Sequence, residues 1–169
     1  MKVLKDILYG VSLKQVSGST SLEVASICFD SRKAEPGSLF IAVRGTLSDG
    51  HDFIDKAIGQ GTKAIVCEKF PDTLQDGVSY FLVEDSAKSL GIISANFFDH
   101  PSSKLKLVGV TGTNGKTTVA TLLFQLFRDL GYKCGLLSTV QNQINDIIIP
   151  STHTTPDPIA LNSLLNDMI

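Results

Sequence analysis

The stretch from 105 to 131 constrains the fold more than any other part of the chain. An apolar run, LKLVGV at 105–110, leads into TGTNG at 111–115, and from Lys116 onward apolar residues return at Val119, Leu122, Leu123, Leu126, Phe127 and Leu130. The run predicts a short strand, and the three-and-four spacing predicts an amphipathic helix that Gly131 terminates. A strand that feeds a helix through a glycine-containing loop belongs to an α/β architecture built on a parallel sheet. Residues 133–137 supply a further apolar run, so the segment reads as a βαβ unit with a right-handed crossover.

The same alternation occupies the first half of the chain. VASICF (24–29), SLFIAV (38–43), KAIVCE (63–68) and SYFLV (79–83) have strand composition, and DFIDKAIGQG (52–61) reads as a helix ending at Gly61. Ala87, Leu90, Ile93 and Phe97 predict another helix, with Asp85 as its N-cap. The turn-rich DHPSSK at 99–104 then breaks the pattern. We therefore expect an α/β domain over 1–98, a linker over 99–104, and the first part of a second α/β domain over 105–169. A polar connection leads to 152–157, and a final helix carries Ile159, Leu161, Leu164, Leu165 and Met168. Two strands are too few for a parallel sheet, so the second domain is expected to be incomplete.

With 43% hydrophobic and 19% charged residues over 169 positions, the chain can bury a sizeable core. A net charge of −2 with scattered lysines and arginines gives no field to recruit nucleic acid or an anionic membrane surface. Cys28, Cys67 and Cys134 are odd in number and set in apolar runs, which predicts reduced core thiols. Lys5 and Asp6 interrupt the first apolar stretch, and no apolar run reaches membrane-spanning length. A cytoplasmic location is the expectation.

The loop GVTGTNGKTT at 109–118 carries the strongest chemistry. Gly112 and Gly115 allow close backbone approach, successive N–H groups can surround phosphate oxygens, and a helix N-terminus adds positive partial charge. Lys116 supplies a full charge for the β- and γ-phosphates, and the Thr117 hydroxyl suits Mg²⁺. Val110 stands where the strict G-x-x-x-x-G-K-[ST] pattern has its first glycine. The plain alternative is a glycine-rich turn with an incidental lysine.

The loop as it stands, Val110 included, resembles the ATP-binding loop of the Mur ligase family. FDSR at 29–32, PGSLFIA at 36–42 and GTLSDGH at 45–51 resemble that family's uridine-nucleotide-binding N-terminal domain, and HTTPD at 153–157 resembles a substrate-contacting segment. The resemblance implies that Phe29, Ser31, Thr46, Leu47 and Ser48 contact the uridine part of the substrate. It implies that His153, Thr154 and Thr155 contact its sugar–peptide part. Gly112, Thr113, Asn114, Gly115, Lys116, Thr117 and Thr118 would bind ATP, with Lys116 catalytic, and Thr117 and Thr139 would serve Mg²⁺, although Ser138 offers an equally placed hydroxyl. The implied activity is ATP-dependent addition of a third amino acid, diaminopimelate or lysine, to UDP-N-acetylmuramoyl-L-alanyl-D-glutamate through an acyl phosphate, in a monomeric enzyme.

Each assignment has a plainer counterpart. Ser31 and Asp49-Gly50-His51 have ordinary turn chemistry, and residues 153–155 could simply open the last helix. Arg32, Lys33, His51 and His100 receive no functional role. Competing readings are the sibling ligase that adds a dipeptide, an unrelated P-loop ATPase or kinase, and a non-catalytic UDP-sugar-binding module. The family's carbamylated lysine, its magnesium-binding glutamate and its amino-acid-selecting domain would lie beyond Ile169, so these residues alone are expected to be inactive.

Overall fold

A computed structural model describes residues 1–45, 48–150 and 156–169. The chain divides into two compact units, Met1–Asp99 and His100–Ile169.

The first unit opens with β1 (Lys2–Val3), α1 (Leu4–Ile7), β2 (Leu13–Ser17), β3 (Glu23–Val24) and β4 (Ser26–Cys28). It continues with β5 (Ser38–Ile41), α2 (Ile54–Gly59), β6 (Ala64–Cys67), β7 (Ser79–Val83) and α3 (Ser86–Phe97). A five-stranded sheet has the order β2-β7-β6-β5-β4; β4 to β7 run parallel and β2 is antiparallel on the β7 edge. Every residue of β5 and of β6 is buried, as a parallel strand covered on both faces requires. Phe40, Ile65, Cys67 and Tyr80 join Ile54 and Ala57 of α2 in one core cluster. Their strand neighbours Leu39, Ile41, Val66 and Phe81 point to the opposite face and are fully buried as well. Burial pushes the Cys28 thiol up to about 11 and the Cys67 thiol up to about 12, so both are inert core residues.

Helix α3 forms as its spacing predicts. The Asp85 carboxylate accepts from Lys88 N at 2.8 Å, and the helix ends where Asp99 and His100 take left-handed φ values of 57° and 51°.

The second unit contains α4 (Lys116–Asp129), β8 (Gly135–Leu137), β9 (Gln141–Ile144), β10 (Ile147–Pro150) and α5 (Pro158–Asp167). Three expectations are corrected here. Residues 105–110 form no strand, and Leu107 and Val108 are 60% and 70% exposed. An apolar run becomes a strand only by pairing, and this one has no partner among the described residues. Strand β8 pairs antiparallel with β9, and β9 with β10, so 105–137 is not a βαβ unit. The polar connection after β8 is a hairpin whose two-residue turn places Asn145 at φ 51°.

The Arg128 guanidinium on α4 holds that turn, donating to Asn145 Oδ1 at 3.1 Å and to Asp146 Oδ1 at 2.5 Å. The stretch before α4 is not slack, because Pro101–Lys104 form a 3-10 turn that contacts α5. Cys134 is only half-buried, unlike the other two cysteines. The apolar stripe of α4 is largely uncovered: Val119, Leu122, Leu126, Phe127 and Leu130 are 40–62% exposed, and Phe124 alone is buried.

Candidate functional site

In the first unit the carboxyl ends of β4 and β5 lie side by side, because these strands pair in parallel with Cys28 opposite Phe40. Phe29 follows β4 and is 37% exposed. Ser31 is buried at the start of a 3-10 turn, Ser31–Lys33. Asp30 caps that turn: its carboxylate accepts from Arg32 N at 2.9 Å and from the Arg32 guanidinium at 2.7 Å. The bond from the Arg32 side chain, with the backbone bond beside it, holds the Asp30 carboxyl down at about 2. Arg32 thus belongs to the turn, as the plainer reading had it. Ser48 is exposed on the loop after β5. Thr46 and Leu47 lie outside the described residues.

That loop has a well-defined base. Gly45 N donates to Ser48 O at 3.0 Å, Arg44 and Asp49 form an antiparallel bridge, and Gly50 N donates to Val43 O at 2.9 Å. A Cβ on Gly50 would lie 2.6 Å from Val43 O, so only glycine fits.

The residues around this base form a network that sequence reasoning missed. His51 Nδ1 meets Asp49 Oδ1 at 2.5 Å, while His51 Nε2 accepts from Glu68 N at 2.8 Å. Arg44 Nε donates to Asp49 Oδ2 at 3.3 Å. The Glu68 carboxylate accepts from Ser86 N at 2.9 Å and Ser86 Oγ at 2.7 Å, at the start of α3. Those bonds hold the Glu68 carboxyl below its ordinary value, and the backbone and side-chain bonds to His51 do the same for Asp49. Arg44, Asp49, His51, Lys69, Phe70 and Asp72 help line a cleft of about 390 Å³ beside the loop. Only the DGH triplet hinted at this cluster; Glu68 and Ser86 join it through pairings no local pattern encodes.

In the second unit residues 111–116 are exposed and lead into α4. Gly115 caps that helix at φ 77° and Gly112 sits at φ 149°, both in the left-handed half of backbone space. A Cβ at Gly115 would meet nothing within 4 Å, so glycine is needed there for conformation and not for room within the unit. Lys116 opens α4, and its ammonium donates to Gly112 O at 2.6 Å and Thr113 O at 3.3 Å. Thr117 and Thr118 occupy the first turn, so the loop N–H groups, two hydroxyls and the ammonium share one helix N-terminus. Thr139 is exposed in a bend after β8, and the Ser138 hydroxyl is engaged with Gln141 O at 2.7 Å. His153, Thr154 and Thr155 lie outside the described residues.

A parallel-sheet unit followed by a unit that opens on a glycine loop and a helix defines the class of fold, and the sequence comparisons give the family. The Mur ligase family catalytic domain matches residues 23–111 and the Mur ligase middle domain matches residues 110–169. The chain belongs to the Mur ligase family.

The UDP-N-acetylmuramoyl-L-alanyl-D-glutamate–2,6-diaminopimelate ligase of Cytophaga hutchinsonii is 60% identical over 167 residues, covering 98% of this chain and 34% of that protein. The ligases of the same name from Bacteroides fragilis and Listeria innocua are 51% and 39% identical, with 98% of this chain covered in each and 34% and 33% of those proteins. The chain thus spans about a third of the length of the curated relatives it matches. A solved structure of a ligase of that name superposes with a TM-score of 0.73 at 23% identity, over 99% of this chain and 33% of that one, a likeness of fold. The MurF ligase of Thermotoga maritima, in complex with ADP, gives 0.54 at 28% identity over 86% of this chain and 29% of that one.

Proposed function

We propose that the chain carries the precursor-binding and ATP-binding parts of a ligase that adds diaminopimelate to UDP-N-acetylmuramoyl-L-alanyl-D-glutamate, acting as a cytoplasmic monomer. The observation that carries this reading is the loop at 111–116 on the N-terminus of α4, joined in one chain to a sheet unit in which β4 and β5 end side by side, with Phe29 directly after β4 and Ser48 exposed on the loop after β5. The names of the relatives favour diaminopimelate over lysine and favour this ligase over the dipeptide-adding sibling. The proposed domain boundary falls in the 99–104 segment.

The loop's chemistry suits a nucleotide: positive-φ glycines precede the N-terminus of a 14-residue helix, where the Lys116 ammonium donates to loop carbonyls that a phosphate could replace. When bound, ATP supplies the phosphoryl group that turns the substrate carboxylate into an acyl phosphate, and Mg²⁺ neutralises the phosphate charge. For its part the chain orients the reactants and stabilises charge. Lys116 would balance charge on the transferring phosphoryl group, the amides of 112–116 would hold the phosphate oxygens, and the hydroxyls of Thr117 and Thr139 would be among the metal's ligands. Phe29, Ser31, Thr46, Leu47 and Ser48 would hold the uridine end, and His153, Thr154 and Thr155 the sugar–peptide end. The incoming amine then attacks the acyl carbon and releases phosphate. No side chain of this segment acts as a covalent nucleophile.

The test is a division of labour. In the natural reading frame expressed to its stop codon, Lys116→Ala lowers turnover at least about a hundredfold, the loss of ~3 kcal/mol that removing one preorganised donor produces. Calorimetric affinity for the UDP precursor stays unchanged in the same variant. Normal turnover in Lys116→Ala removes the ATP assignment.

A further inference from the structure

We propose that His51 is a positioning residue for the precursor pocket: its imidazole ties the stem residue Asp49, paired with Arg44, to the end of β6, so that this stem is fixed before ligand arrives. The proposal rests on the reading that this loop takes the uridine end of the precursor.

Hydrogen-bond direction fixes the ring. A backbone N–H can only donate, so the 2.8 Å contact from Glu68 N must meet a lone pair on Nε2. The ring proton therefore sits on Nδ1, where Asp49 Oδ1 receives it. The side chain is only 14% exposed, which points to action through the loop and not on the ligand.

What the ring joins matters more than the bonds themselves. Asp49 closes the loop that follows β5, pairing with Arg44 across its stem. Glu68 directly follows β6, and its carboxylate is anchored on the first turn of α3 through Ser86. His51 thereby references a surface loop to two parallel strands and a helix. Fixing the stem residues in advance removes part of the cost that ligand binding would otherwise meet.

The test is calorimetric titration of the whole chain with UDP-N-acetylmuramoyl-L-alanyl-D-glutamate, run beside thermal unfolding. His51→Phe keeps the ring volume and loses both nitrogens; it should bind about tenfold to a hundredfold more weakly while remaining folded, the range expected for losing hydrogen bonds that include a charged partner. In His51→Gln the amide oxygen can accept from Glu68 N–H and the amide nitrogen can donate to Asp49, so most of the affinity should return. Two-bond ¹⁵N–¹H correlation spectra of the wild-type chain should show His51 with its proton on Nδ1.

Wild-type affinity in a folded His51→Phe overturns this inference and leaves the uridine reading standing. No binding by the wild-type chain overturns both. A proton on Nε2 overturns the inference on its own. If His51→Phe does not fold, Arg44→Met loosens the same stem from an exposed position and decides the matter: weakened affinity supports the inference and unchanged affinity overturns it.

Discussion

At Asp30 a single carboxylate does two jobs, capping the Ser31–Lys33 turn and pairing with Arg32. Its folded value of about 2 lies below the ordinary 3.8, so the pairing stabilises the fold fully above the ordinary value. As pH falls from there toward about 2 the contribution is lost, because the folded carboxylate is then being protonated too. Asn at this position can keep an acceptor for Arg32 N but has no charge. Thermal midpoints of Asp30→Asn should therefore fall below wild type at pH 7, with the difference closing as the pH approaches 2. An equal difference at both ends of that range contradicts the account. Gly50 gives a second prediction. A methyl group there meets the Val43 backbone at 2.6 Å, so Gly50→Ala should destabilise the first unit by about 1–3 kcal/mol in denaturant unfolding. Under the uridine reading it should also weaken precursor binding, since the same strain displaces the stem at Val43 and Gly50.

Elements differ in how much of them a single chain segment determines. The central strands β5 and β6 were readable because a strand buried on both faces needs a continuous apolar run, and SLFI and AIVC are such runs. Helices α3 and α4 were readable from three-and-four spacing and from Asp85 and Gly131. The run at 105–110 misled for the same reason that the others informed: hydrophobicity marks a strand only when a neighbour exists to pair with it. The β9–β10 hairpin escaped notice because QNQI is polar and the turn is held from outside by Arg128, seventeen positions before Asn145. Of the candidate site, the glycine loop was readable because its physics is local, whereas the His51 network was not, because its bonds span strands. Arg128→Ala should consequently loosen the hairpin with little effect on α4, seen as faster amide exchange at Gln141–Ile144 and Ile147–Pro150 against unchanged protection in Lys116–Asp129.

At the scale of the whole molecule, the two units are unequal in burial. The first encloses a core on both faces of its sheet, while the second leaves four large apolar side chains of α4 and its C-cap Leu130 at 40–62% exposure. Uncovered apolar surface of that kind drives association. The 169-residue chain should sediment as concentration-dependent oligomers, and Leu122→Glu combined with Leu126→Lys should return it to a monomer. A chain that stays monomeric at high concentration without these changes removes that prediction.

The clasp between the chain start and α3 has a temporal meaning. Lys2 Nζ donates to Asn96 O at 3.0 Å, and Asn96 Nδ2 donates to Ile7 O at 2.8 Å and Tyr9 O at 2.7 Å, contacts between groups 87 to 94 positions apart. Strands β4 to β7, by contrast, each pair with the next in sequence and close only short loops. Closing a long loop is entropically costly until much of the remainder is in place. The parallel strands should therefore assemble first and the N-terminal segment should dock last, after the rate-limiting step. In stopped-flow measurements Asn96→Ala should speed unfolding while leaving the folding rate nearly unchanged. On this account residues 2–9, once made, wait undocked for a helix that follows almost ninety residues later.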